Sequence, residues 1–263
     1  MVTWKDKLNI RLGIFLLLLG TSSLLTLGFT HSNFIHSSAS LNYLKFNNSC
    51  LINKDQYLYL GKKTLLNDVE KKIFNNRIST RLPKYIDLFK KYSQDNFLTW
   101  YLLAAISYQE SHWNHKAISP TQVKGLMMIT FDTMNFIGIK NRLDPEQSVH
   151  GASKYLKNIY GRLPSSIKGP DRLWMTIAAY NVGLGHLEDA RKLTQRFGGN
   201  PNNWSNVSKY LPLLSKKKYY QSLKHGYARG YEPVIYVKRI QAYLEILRLK
   251  DRSVIASFYK KFF

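Results

Sequence analysis

The sequence predicts a mainly α-helical domain over residues 77–250, and three observations carry that prediction. From Arg77 onward, apolar residues recur at the three- and four-residue spacing of a helical face. The tetrapeptide Asp144-Pro145-Glu146-Gln147 reads as a helix start, with an N-cap Asp, Pro in the first turn and Gln at the capping-box position. No stretch beyond residue 77 shows the period-two alternation of a half-buried strand, and no internal repeat is visible.

Taken in chain order, residues 1–30 form a membrane anchor or signal segment. Lys5, Lys7 and Arg11 precede Leu12–Thr30, a run without charge that is close to the roughly 20 residues needed to span a bilayer. The positive flank holds the N-terminus inside and sends the rest across. A cleaved signal peptide is the rival, but no small-x-small site ends the run, so an uncleaved anchor is favoured. Residues 31–76 are polar and read as a linker or remnant, with Gln56–Lys63 as a possible short strand.

Within the helical region, Leu82, Ile86 and Phe89 share a face, and Phe97–Glu110 is the next helix. The helix opened by Asp144 runs through Tyr155, Leu156 and Ile159. Another starts near Asp171 and carries Trp174, Ile177 and Ala178 toward Tyr180; Gly183 and Gly185 interrupt it, and His186–Phe197 resumes. Pro233–Leu249 places Val237, Ile240, Leu244 and Leu247 on one stripe, and residues 251–263 follow as a basic tail.

Composition narrows the function classes. At 44% hydrophobic and 14% aromatic, the 263-residue chain is not a disordered composition. Its 39 Lys and Arg against 16 Asp and Glu give a net charge of +23, which suits an anionic partner: nucleic acid, lipid or an acidic polymer. Residues 216–263 alone hold 12 Lys and Arg against 3 acids. The orientation of the N-terminal segment places the basic domain outside the cytoplasm, so nucleic acid is not expected as a partner. Cys50 is the sole cysteine, which excludes an internal disulfide and a Cys-based metal site.

One residue breaks the helical patterning. Leu103, Ile106 and Glu110 fall on a single face at helical spacing, yet the third is a carboxylic acid. A buried carboxyl group favours its neutral form, and a protonated acid is what glycosidic-bond cleavage needs at the leaving oxygen. The plainer reading is a surface Glu on a fraying last turn. A standard glycosidase would add a second carboxylate, but the nearby acids have other uses. Asp144 is an N-cap, Glu146 lies in a favourable first turn, and Asp132 or Thr130 caps a short helix. A mechanism with one carboxylate is therefore entertained. His112 and His115 lack a third metal ligand, the GLGH run at Gly183 lacks the strand and Lys of a phosphate loop, and Ser111 has no identifiable triad partners.

Read together, AISYQESHWN, SPTQVKGLMM, AAYNVGLGH and YVKRIQAYL, in that order, resemble the lytic transglycosylase domain of the goose-lysozyme-like superfamily. LPLLSKKKYYQSLKHGYARGYEPVIYV and the earlier DPEQS resemble its membrane-bound lytic murein transglycosylase F branch. The likeness covers about residues 77–248. It implies a lysozyme-like helical fold that cleaves the β-1,4 bond between N-acetylmuramic acid and N-acetylglucosamine in peptidoglycan, without cofactor or metal. Glu110 matches the single acid of the family, which protonates the leaving oxygen and then deprotonates the muramoyl C6 hydroxyl to leave a 1,6-anhydro end.

The resemblance also implies substrate-binding roles. Ser111 follows the acid, Ser119 matches a polar residue lining the glycan cleft, and Tyr180 and Asn181 match the Ala-Tyr-Asn stretch. Tyr236 matches a further Tyr near the acid. Met127 and Met128 stand where many relatives read Met-Gln, so the substrate-binding amide is missing at Met128, as the F branch tolerates. That branch normally carries a solute-binding-protein-like domain ahead of the catalytic one, whereas some fifty polar residues stand here. The expected setting is the cell envelope, with the catalytic domain in the periplasm, an inner-membrane anchor favoured and outer-membrane association an alternative. A lysozyme-type muramidase and a non-catalytic peptidoglycan-binding module are the competing functions.

Overall fold

The computed structural model describes residues 65–93 and 97–262, with side-chain surroundings described through residue 251. The apolar run Leu12–Thr30 and the Gln56–Lys63 stretch lie outside the described residues. Among the described residues no helix is long and apolar enough to cross a membrane.

The described chain is mainly helical: α1 (Asp68–Thr80), α2 (Ile86–Lys91), α3 (Trp100–Ser111), α4 (Phe131–Ile137), α5 (Pro145–Arg162), α6 (Gly169–Val182), α7 (Leu184–Arg196), α8 (Trp204–Tyr210), α9 (Lys217–Tyr220) and α10 (Tyr231–Phe262). Antiparallel bridges join Ile118 to Lys124 and Lys124 to Ile129 within the loop from α3 to α4.

Local chemistry sets the helix starts. Asp144 accepts from the Gln147 amide at 2.7 Å and caps α5, with Pro145 in its first turn. The Gln147 side chain does not close a capping box; its Oε1 takes the backbone amides of Lys140 and Asn141 at 2.9 and 3.0 Å. Thr130, rather than Asp132, caps α4. The face expected from Leu82, Ile86 and Phe89 is divided, because Pro83 sits in a 3-10 turn, Leu82–Lys84, ahead of α2.

Helical packing starts nine residues before the expected domain boundary at 77, with α1 opening at Asp68. A capping box between Asn67 and Glu70 starts α1. Phe74 is fully buried and meets Tyr108 at 4.4 Å, Tyr243 at 4.7 Å and Trp113 at 5.5 Å between ring centroids. At the other end, α10 continues past residue 251 to Phe262.

Helix α3 is the centre of the molecule. Thr99 caps it, and every residue from Leu102 to Tyr108 is buried, as a helix that is apolar all round requires. It packs against α2 and α10; α10 also packs on α6, and α6 on α5, α7 and α8. Truncating Leu103 or Ile106, both without exposed surface, would cost about 2–5 kcal/mol. The C-terminal turn of this enclosed helix carries the unusual acid.

Candidate active site

Glu110 is the penultimate residue of α3 and is buried, at 9% exposure. Burial strips a carboxyl group of water, so its oxygens need partners from the protein. One comes from α10: the Tyr236 hydroxyl, itself buried, donates to Oε1 of Glu110 at 2.5 Å.

The chain turns back immediately after this acid. His112 and Trp113 have φ values of 53° and 57°, two consecutive left-handed residues without glycine. The surroundings hold that turn. The Trp113 indole N–H donates to the Ala104 carbonyl at 2.9 Å, and Arg81 donates to the His112 carbonyl at 3.1 Å. Arg77, on α1, donates to the Tyr108 hydroxyl at 3.1 Å. Loss of hydration, reinforced by the positive charges of Arg77, Arg81 and Arg239, pushes the His112 imidazole down to about 4. Burial pushes the Tyr108 phenol up. His115 takes no part in this turn; its Nδ1 pairs with the Tyr85 hydroxyl at 2.9 Å.

The returning segment, Gly125–Met128, is pinned against α3, α5 and α6. Ser111 Oγ donates to the Leu126 carbonyl at 2.8 Å and accepts from the Asn114 amide at 3.2 Å. Ser107 reaches the same carbonyl at 3.2 Å. The next carbonyl, of Met127, accepts the Tyr180 hydroxyl from α6 at 2.9 Å, and the Met127 amide donates to Ser148 on α5 at 3.1 Å. Gly125 has a φ of +90°, and a Cβ there would lie 1.7 Å from the Arg142 carbonyl oxygen. Only glycine allows that approach.

The residues singled out in the sequence therefore divide. Glu110 and Tyr236 touch directly. Ser111 and Tyr180 donate to the consecutive carbonyls of Leu126 and Met127. The Met127 side chain has no exposed surface, while Met128 is half-buried at a φ of 47°. Asn181 follows Tyr180 on α6 and is half-buried. Ser119 closes its own turn, accepting from the Val123 amide at 3.0 Å and pairing with Thr121. The other acids weighed for a second role are placed elsewhere: Glu146 pairs with Lys91 and Tyr92, and Asp132 lies in the first turn of α4. Sequence reasoning missed Ser107, Ser148, Arg77 and Arg81. The two serines carried a signal, since each is a polar residue on a buried helix face.

Residues 87–203 match the Transglycosylase SLT domain. Membrane-bound lytic murein transglycosylase F of Saccharophagus degradans is 55% identical over 175 residues, 66% of this chain and 35% of that protein. Its namesake in Marinobacter nauticus is 49% identical over 189 residues, 72% of this chain and 38% of that protein. Among solved structures, the 70 kDa soluble lytic transglycosylase of Escherichia coli aligns with 66% of this chain and 28% of its own, at 24% identity and a TM-score of 0.44. The chain thus spans little more than a third of the length of the curated relatives it matches. The likeness to the transglycosylase SLT domain thus lies in residues 87–203, the region that carries Glu110.

Proposed function

We propose that the chain is a peptidoglycan lytic transglycosylase with Glu110 as its acid and then its base. The observation that carries this reading is the buried Glu110 carboxyl group, held by the Tyr236 hydroxyl at the end of the most enclosed helix. Relatives about half identical over this region are named lytic murein transglycosylases, which supports it.

In the first step protonated Glu110 gives its proton to the glycosidic oxygen as the bond from muramoyl C1 breaks, freeing the N-acetylglucosamine 4-hydroxyl. In the second, the Glu110 carboxylate takes the proton of the muramoyl C6 hydroxyl while O6 bonds to C1. The acid is restored, no water is consumed, and the new end is 1,6-anhydromuramic acid. A second carboxylate has no task in this sequence, unlike the paired acids of ordinary glycosidases. Tyr236 orients the carboxyl group. Ser111 and Tyr180 fix the Gly125–Met128 floor beneath the sugar, and Met128, Asn181 and Ser119 line the cleft around it.

The setting follows from sequence and kinship. Relatives are named membrane-bound, and the uncharged Leu12–Thr30 run follows three cationic residues. The domain then works on the far side of the membrane that the anchor enters, where peptidoglycan is the polymer at hand.

The test is a digest of purified peptidoglycan by the full chain and by Glu110→Gln, analysed by mass spectrometry. The wild type releases 1,6-anhydromuropeptides, and the variant loses about 100-fold or more of that rate. Products with only reducing ends would move the reading to a hydrolase. Binding without release by either protein would leave a glycan-binding module.

A further inference from the structure

Three neighbouring helices each contribute one aromatic ring to a continuous row. Phe136 on α4 meets Tyr155 on α5 at 6.3 Å between centroids, edge to face, and Tyr155 meets Tyr180 on α6 at 5.8 Å. The row begins at the candidate site, because the Tyr180 hydroxyl donates to the Met127 carbonyl beside the Ser111-bound carbonyl of Leu126. It ends in solvent. Tyr180 is 8% exposed, Tyr155 is half-buried and Phe136 is 62% exposed.

Exposing a phenyl ring is unfavourable in isolation, and single exposed apolar residues need no explanation. Phe136 differs in being the outer end of a graded series that starts on the floor beside Glu110. Pyranose rings present apolar C–H faces, and an accessible aromatic face is the surface they stack on, while Tyr hydroxyls offer polar contacts. A linear sugar polymer leaving the acid along this row would pass the buried Tyr180 and meet the accessible rings of Tyr155 and then Phe136. Phe131, also on α4 and 59% exposed, is not part of the row; its ring sits under the Arg142 guanidinium at 5.9 Å.

We infer that Phe136 and Tyr155 form an outer sugar-stacking subsite, which extends the cleft of Glu110 and engages glycan strands too long to be held at the acid alone. The inference rests on the peptidoglycan reading and deepens it by naming chain-length preference as its consequence.

The experiment measures affinity in the full chain carrying Glu110→Gln, so that cleavage does not erode the ligand. Probes are purified peptide-free peptidoglycan strands, one set of a single disaccharide unit or two and another of many units. Phe136→Ala is expected to weaken binding of the long strands about 3- to 10-fold, to leave the short ones within twofold, and to be rescued by Phe136→Trp. Phe131→Ala is expected to leave both unchanged. Equal long-strand affinity with and without Phe136, equal weakening of both lengths, or the same loss in Phe131→Ala overturns the subsite. Failure of the Phe136-intact protein to bind any strand overturns the peptidoglycan reading itself and this inference with it. Phe136 is mostly exposed, so the variants fold, and matching thermal melts verify that.

Discussion

The hydroxyl of Tyr236 donates to Oε1 of Glu110 at 2.5 Å, joining residues 126 positions apart. Neither residue sits in a loop: one ends the central helix α3 and the other lies in the second turn of α10. Because α10 packs along α3, the geometry of this pair is set by the core itself. The carboxyl group is thereby held in one orientation, the condition for efficient proton transfer in the proposed reaction.

Tyr236→Phe keeps the ring and removes only the donor. A hydrogen bond to a group that is charged in part of the cycle is worth about 1.5–3 kcal/mol. The turnover rate for anhydromuropeptide release is therefore expected to fall about 10- to 100-fold, with melting shifted by no more than about 5 °C. Steady-state digestion and a thermal melt on the same preparation check both numbers. An unchanged rate would mean that Glu110 is oriented without Tyr236.

His112 makes stability depend on pH. Its imidazole is held at about 4 in the folded chain against 6.5 for an ordinary His, first by loss of hydration and then by Arg77, Arg81 and Arg239. Between those values the unfolded chain binds the proton and the folded chain does not, so stability rises with pH across that window. It is fully present above 6.5 and is lost as pH falls toward 4, by about 2–3 kcal/mol for this group. His112→Asn tolerates the left-handed backbone and lacks the titration. The difference in unfolding free energy between pH 7 and pH 4 is expected to shrink by that amount in the variant.

How much of this was legible depended on sequence distance. The Asp144 cap lies three residues from the amide it binds, so four letters sufficed to read it. Glu110 was legible because Leu103 and Ile106 define its face, although α3 is in fact buried on every side from Leu102 to Tyr108. Tyr236 was found through kinship alone, since nothing local to either residue signals a contact 126 positions away. The early start of α1 was hidden for another reason. That helix buries only Phe74, with Val69 and Ile73 exposed and Ile78 half-buried against the core, so its apolar residues do not read as one buried stripe; aromatic contacts of Phe74 and the bond from Arg77 to Tyr108 add to its hold on the core.

Arg172 is a structural counterpart to these site residues. Its guanidinium donates to four carbonyls at the end of α5 and the loop beyond it, those of Tyr160, Leu163, Pro164 and Ile167. It also lies 4.7 Å over the Tyr160 ring. A planar fork can serve four acceptors, whereas an ammonium has three donors on a single point. Arg172→Lys keeps the charge and is still expected to cost about 2–3 kcal/mol. Denaturant unfolding would register this as a lower midpoint at constant slope.

Gly125→Ala tests whether the floor beneath the proposed sugar site depends on one missing methyl group. The φ of +90° disfavours any side chain, and the new Cβ would lie 1.7 Å from the Arg142 carbonyl oxygen and 3.2 Å from Ser148 Oγ. A backbone oxygen cannot swing aside as a flexible side chain can, so the segment itself must move. The bonds it makes to Ser111, Ser148 and Tyr180 tie any shift to the end of α3. Destabilisation of about 2–4 kcal/mol is expected, or about 5–15 °C in melting for a domain of this size. Activity measured well below that melting point should fall further than the folded fraction does, because the floor is displaced even in molecules that remain folded. If rate and folded fraction fell in step, the segment would be a scaffold for α3 and not part of the cleft.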